Sequence, residues 1–584
     1  MRALVMALAL SAAAPAIAAP EDDLANLMDD VWASALRESP ELATSVGVRD
    51  YDDRVSDISL EAQDRRASEA RTYLDRLRAI PEDQLSADAR TDYGILERML
   101  SEAIEANGFA QRTMLFTTFA GWHQNFASLP NNLPFQTPAD FESYLTRLSL
   151  YPTINDTAIA ISTQAAEQGY TLPCAVLDGY EQSISGVIGE DVTTSRFYEP
   201  FTRPRPTAVS EEAYGGYAAR AREIISTVLA PEYAEHLEWY TTVYRPACRA
   251  EVGISAQPGG ADFYAFRIRQ MTTTDLGAQE IHDIGLAEVA RIRAEMEDVA
   301  AEAGFETREA FIEHLRTDPQ YYAQTPEQLM SAVALQSKEL DGLMPSMFSV
   351  MPRLPYGIRA IPDEIAEGTT TAYYNPGSPE SGIAGTYYVN TSLLDQRPLW
   401  EIPALSAHEG VPGHHHQIAL QQEIDMHPLR QNLAFFTAFI EGWGLYSERI
   451  GIEMGIYDTP AENMGRLSYE MWRACRLVVD TGIHALGWSK EQAIQFMRDN
   501  SALTEANIEA EVNRYISWPG QALAYKIGEL RIRALRERAE TALGADFDVR
   551  LFHDAVLGQG SVPLDVLEGQ IDRWIAAQQS DLEG

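Results

Sequence analysis

Leu24, Leu27, Met28 and Val31 recur at i, i+3, i+4 and i+7, the spacing of one helix face. Similar stripes run through about residue 107, again over 139–168 and 209–244, and over 275–345, where Asp, Glu and Arg form the outer faces. These stripes read as core. Pro and Gly clusters separate them, the Pro-rich SLPNNLPFQTP (128–138) and YEPFTRPRP (198–206) among them. From about 348 to 395 the pattern shifts to Pro, Gly, Tyr and Thr, and residues 369–374 and 385–390 look like two strands joined by a loop. Helical periodicity returns after Pro403 and continues to the end. The pattern predicts a mostly α, multi-helix protein with a small β-hairpin or sheet insertion near 365–392. It divides into an N-terminal helical region (19–345) and a second helical region (346–584) that carries the hairpin.

The first eighteen residues stand apart. Arg2 is their only charge, an apolar run follows, and Ala16-Ile17-Ala18 forms a small-residue cleavage signature before the first acid, Glu21. Residues 1–18 therefore read as a cleaved signal peptide, and the mature protein as secreted or periplasmic. No Cys follows the apolar run, which argues against a lipid anchor, and later apolar stretches fall short of the ~18–20 residues of a membrane span. Lys plus Arg number 45 and Asp plus Glu 86, a net charge of −41, which excludes nucleic-acid binding through a basic surface. Only three cysteines are present, too few for a disulfide scaffold or a Cys-rich zinc module. An oxidising compartment permits Cys174, in YTLPCAV, to pair with Cys248, in YRPACRA; Cys475 reads as a buried thiol.

The chemistry concentrates in His408-Glu409-Gly410-Val411-Pro412-Gly413-His414-His415-His416-Gln417, which holds four of the 11 histidines. Neutral imidazoles suit zinc, and hydrolytic zinc sites use three protein ligands plus water. The common zinc signature has His at i and i+4 with Glu after the first. Here i+4 is Pro412, so the simple signature fails. A break at Pro412-Gly413 would swing His414, at i+6, back toward His408. His415, at i+7, is the alternative, but a regular helix would carry it ~10.5 Å along the axis. His414 is therefore favoured as second ligand. Glu441, after the apolar run Leu433–Ile440, is the candidate third ligand, because a buried carboxylate needs a partner. Glu448, two helical turns on, is placed to hold a ligand histidine from behind, with His415 as a further supporting residue.

The sequence resembles the bacterial family catalogued as domain of unknown function 885. HEGVPGHHHQ (408–417), EGWGLYSE (441–448), RLVVDTGIHALGWS (476–489), RYISWPGQALAYKIG (514–528) and GTYYVNTS (385–392) carry the likeness. That family in turn resembles the gluzincin zinc peptidases, whose third ligand is a glutamate. The resemblance implies a metallopeptidase-like architecture around a deep cleft, zinc on His408, His414 and Glu441, and Glu409 as general base.

Such a site needs a donor for the oxyanion that forms at the attacked carbonyl. Tyr525, His484 and Tyr388 have the chemistry, with Tyr525 first. A peptide could add as a strand along 385–390. Arg473, Arg476 or Lys526 could bind a substrate C-terminal carboxylate, or instead form structural salt bridges with Asp480, Glu470 or Glu511. The expectation is a secreted zinc metallopeptidase acting on short peptides, in the manner of a carboxypeptidase or dipeptidyl carboxypeptidase. The rivals are a zinc amidohydrolase or esterase with a small non-peptide substrate, and a non-enzymatic metal-binding protein. Oligomeric state is not legible.

Overall fold

The computed structural model describes residues 19–118, 120–189, 191–362, 366, 370–378 and 383–583. The expected signal peptide, 1–18, lies outside them. The chain is mostly helical with one small sheet, as the periodicity predicts.

The helices that matter to the site are α1 (Ala278–Glu302), α2 (Pro326–Leu343), α3 (Ile402–Glu409), α4 (His414–Glu423), α5 (Thr437–Met454), α6 (Pro460–His484), α7 (Glu505–Ser517) and α8 (Ala524–Leu543). At the centre is α6. Its start is fixed by Pro460 and a capping box in which Thr459 and Glu462 satisfy each other's backbone N–H. Nearly all of it is buried, including Arg466, Glu470, Arg473, Arg476, Asp480 and His484. Those polar positions recur every three or four residues, a stripe that would face water on a surface helix. Here the stripe faces the interior and needs partners there. Helix α1 packs along α6, and Gly285 permits it: a Cβ there would lie 2.8 Å from the Leu477 Cβ. The core therefore runs across residue 345, joining Val289 and Met296 to Met471 and Val479.

Helices α5 and α8 cross still more closely. A Cβ on Gly528 would lie 1.9 Å from the Ala438 carbonyl oxygen, and one on Gly442 would lie 2.5 Å from the Gly528 Cα. Only glycine allows that contact, so the backbone beside Glu441 is seated directly on α8.

The sheet has three strands in the order β1 (Tyr356–Ala360), β3 (Gly385–Val389), β2 (Ala372–Asn375). Strands β2 and β3 form the expected antiparallel pair, with Tyr373 opposite Tyr388. Strand β1 adds in parallel, with Ile358 opposite Tyr387. The expected free edge at 385–390 is thus corrected: β3 is the central strand, its hydrogen bonds taken on both sides, and it has no edge for a peptide to join.

Cys174 and Cys248 form a disulfide across 74 residues, and Cys475 is a buried free thiol. No helix among the described residues is long and apolar enough to cross a membrane.

Candidate metal centre

Helix α3 ends at Glu409. The chain then doubles back through Gly410, a cis Val411–Pro412 peptide and Gly413 before α4 starts at His414. A Cβ on Gly413 would lie 2.0 Å from the His408 carbonyl oxygen, so the fold-back needs glycine at that point. Trp443 of α5 pins the turn, its indole N–H donating to the Pro412 carbonyl at 2.8 Å. This brings His414 against His408, ring centroids 4.7 Å apart and nearly perpendicular.

Glu441 completes the group. Its Oε2 lies 3.6 Å from His408 Nε2 and 3.5 Å from His414 Nε2, and one ligand atom from each residue falls within 4.8 Å of the others. These separations are long for hydrogen bonds. They suit a shared ion: ligands ~2.0–2.1 Å from a tetrahedral zinc stand about 3.3 Å apart. Behind His408, Glu448 accepts a hydrogen bond from Nδ1 at 2.8 Å. A carboxylate can only accept, so a proton sits on Nδ1, which leaves Nε2, facing Glu441, as the atom that takes up either a second proton or a metal. Gly444 makes room for the ring, since a Cβ there would lie 2.7 Å from His408 Cε1. The two-His, one-Glu donor set, its spacing and its support all fit zinc.

The electrostatics agree. Burial works against a charged His408, but the Glu441 and Glu448 carboxylates outweigh it and raise the imidazole to about 10. Burial pushes Glu441 up, yet the two imidazoles prevail and hold its carboxyl well below the usual range. A cation is favoured at this point, whether proton or metal. Glu409 is buried next to His408, and its carboxylate forms no hydrogen bond or ion pair among the described residues.

The remaining sequence candidates separate. His415 turns away: Nδ1 meets the Tyr374 hydroxyl at 2.9 Å, and the ring packs on Tyr356. The structure therefore selects His414 for the cluster and gives His415 no contact with it. His484 is corrected to a core histidine, Nδ1 accepting from the Ile254 N–H and Nε2 donating to the Tyr515 carbonyl. Tyr388 stacks on Tyr373, on the face of β3 opposite Tyr387. It is Tyr387, missed in the sequence, that is fully buried near Ser406 and Glu409. The sequence signal was there, in strand alternation, but the choice of face was not.

Lys526 is corrected from substrate binder to structural cation. It is fully buried, with Glu288, Glu470 and Glu529 each 2.8–2.9 Å from its ammonium. Arg476 pairs with Glu511 at 2.9 Å. Arg473 stacks on Trp472 and Tyr469, with Nη2 3.6 Å from Glu448. Tyr525 is nearly buried, its hydroxyl accepting from Arg514 at 3.3 Å while the Arg476 guanidinium covers its ring at 4.4 Å. Arg514 was not singled out by sequence, although it opens the RYISWPGQ segment.

The chain is similar to a solved "putative lipoprotein" from Colwellia psychrerythraea, with 27% identity, TM-score 0.88, and coverage of 96% of this chain and 100% of that one. It also shares its fold with a "putative lipoprotein of unknown function" from Shewanella oneidensis, at 18% identity and TM-score 0.75, covering 95% and 99% of the two chains. No curated protein matches it in sequence. The family described as bacterial protein of unknown function (DUF885) matches residues 40–571, nearly the whole described chain, and this protein belongs to that family.

Proposed function

We propose that the protein is an exported zinc-dependent peptidase that hydrolyses short peptides. The observation that carries this reading is the convergence of His408 Nε2, His414 Nε2 and Glu441 Oε2, with Glu448 fixing the His408 tautomer. When bound, zinc supplies Lewis acidity, which in hydrolases brings the pKa of water toward ~7. The chain's own groups do the rest. Glu409, buried beside a ligand and free of hydrogen bonds among the described residues, takes the proton from attacking water and returns it to the leaving amine. Glu448 and Arg473 keep the His408 ring in place. The order His-Glu, His, Glu along the chain is that of the gluzincins, and on this reading the surrounding helices form a peptidase cleft.

Two observations support export. The solved relatives are described as lipoproteins, and a disulfide suits an oxidising compartment.

Elemental analysis of the purified protein, combined with hydrolysis of blocked and unblocked short peptides, tests the proposal. About one zinc per chain and zinc-dependent cleavage are expected. A protein that binds no zinc at saturating metal, or that with zinc cleaves no peptide, refutes it, and cleavage of small amides alone would favour the amidohydrolase rival.

A further inference from the structure

Beside the metal centre, two guanidinium groups share one carboxylate. Arg476 Nη2 donates to Glu511 Oε2 at 2.9 Å, and Arg514 Nη1 lies 3.5 Å from Glu511 Oε1. Neither arginine pairs with another acid among the described residues. This leaves one surplus positive charge in the interior of a protein whose net charge is −41. Arg476 is only 2% exposed. Its guanidinium lies 4.5 Å from the centre of Trp472 and 4.4 Å from that of Tyr525. Its Nε donates to Tyr515, but its Nη1 is buried with no partner. A buried, charged donor left unmatched is costly, and such groups are nearly always satisfied. The Tyr525 hydroxyl accepts from Arg514, so its own proton is available to another acceptor.

These groups adjoin the proposed catalytic residues on both sides. Tyr525 is one helical turn before Gly528, which touches the backbone next to Glu441. Arg473, one turn before Arg476, reaches Glu448.

Resting on the peptidase reading, we infer that Arg476, Arg514 and Tyr525 seat the free C-terminal carboxylate of the substrate, so that the enzyme acts on the C-terminal end of short peptides. A carboxylate carries the single negative charge that the site lacks. Its two oxygens can accept both the orphaned Arg476 N–H and the Tyr525 O–H. An amidated C-terminus brings no charge and leaves the surplus uncompensated.

Binding separates this inference from the hydrolytic one. In Glu409→Gln protein, calorimetry with N-acetyl-dialanine and its C-terminal amide is expected to show the acid binding about 10–100-fold more tightly. Arg514→Met in that background should bring acid and amide together, and Arg514→Lys should restore part of the difference. The Arg514 side chain is 20% exposed, and thermal melts check that both variants fold. Equal affinity for acid and amide in the parent, no binding of either, or discrimination that survives Arg514→Met in a folded protein, would overturn the seat. Cleavage of acid and amide at equal rates by the zinc-loaded wild type would also overturn it while leaving the peptidase reading intact. Preferential binding of the acid with no cleavage would leave the seat standing and remove the peptidase reading.

Discussion

Two clusters of buried charge lie on helices that pack together, one on α1, α6 and α8 and the other on α3, α4 and α5, and they differ in how their charges are met. Around Lys526, each of three ammonium hydrogens has a carboxylate within 2.9 Å, from Glu288, Glu470 and Glu529. The remaining oxygens of Glu288, Glu470 and Glu529 are met by Arg291, Arg466 and Arg533 in turn. Nothing is left for a ligand. Around His408, Glu441 Oε2 faces the two imidazole Nε2 atoms from 3.5–3.6 Å, long for hydrogen bonds and well spaced for a cation among them. Burial and charge alone do not mark a functional site. Ligand atoms that converge at a spacing suited to a cation mark a candidate.

The sharpest test of this contrast is Glu409→Gln. It should lower peptide hydrolysis by about 10²–10⁴-fold, the usual worth of a general base, with zinc content unchanged. His408→Ala and Glu441→Ala should instead lose zinc and hydrolysis together. In the satisfied cluster the loss should appear in folding. Glu470→Gln leaves Lys526 and Arg466 short of an acceptor and should cost about 3–5 kcal/mol in urea unfolding, while folded protein still binds zinc. A variant that melts normally but loses metal would reverse the assignment of the two clusters.

Glu448→Gln is an intermediate case. It should weaken zinc binding by about 10–100-fold, measured against a competing chelator, because a neutral amide accepts from the His408 Nδ1–H without lending the ring a negative charge. His415→Ala should leave zinc affinity within a few-fold of wild type. A large loss there would mean that the second ligand has been misplaced.

A further contrast lies in the pH dependence of stability. Burial is the largest influence on Asp480 and raises it to about 7, against the hydrogen bonds from Tyr264 and Gly520. The unfolded value is ~3.9, so between those limits the folded protein keeps a proton that the unfolded chain has lost. The Asp480 contribution therefore falls as pH rises from about 4 to 7, by up to ~1.4 kcal/mol per unit, and Asp480→Asn should remove that slope. Glu470 runs the other way. Burial raises it, but Lys526, Arg291 and Arg466 prevail and hold it well below its ordinary value. Its contribution is present above ~4.3 and is lost as pH falls further. Wild type and each variant, unfolded in urea from about pH 2 to 8, should show the two opposite differences, that of Glu470 below ~4.3 and that of Asp480 between about 4 and 7.

Much of the site was legible because it is local. The His cluster, the Pro-Gly break and EGWGLYSE each sit within a few residues, and the break predicts that His414 returns to His408. The β2–β3 hairpin was legible for the same reason. Strand β1 was not: residues 356–360 are only partly buried and show no clean alternation, and their partner is parallel and some thirty residues away. Its presence makes β3 central and removes the edge expected there. The polar stripe of α6 misled differently. Its spacing matches a solvent face, and only the packing of α1, α5 and α8 around it shows which charge meets which. Hence Lys526 and His484 looked available in sequence and are satisfied in the fold, while Arg514 went unmarked because its significance depends on sharing Glu511 with Arg476.

The glycine crossing of α5 and α8 ties two parts of the proposed site into one body. Gly442 abuts Glu441, and Gly528 lies one turn from Tyr525, so any relative slide of the rods would displace the carboxylate and the phenol at once. On the peptidase reading, opening for substrate happens away from this joint, and a methyl group added at either glycine would act as a wedge, shifting the proposed metal ligand and the proposed carboxylate seat with a single carbon.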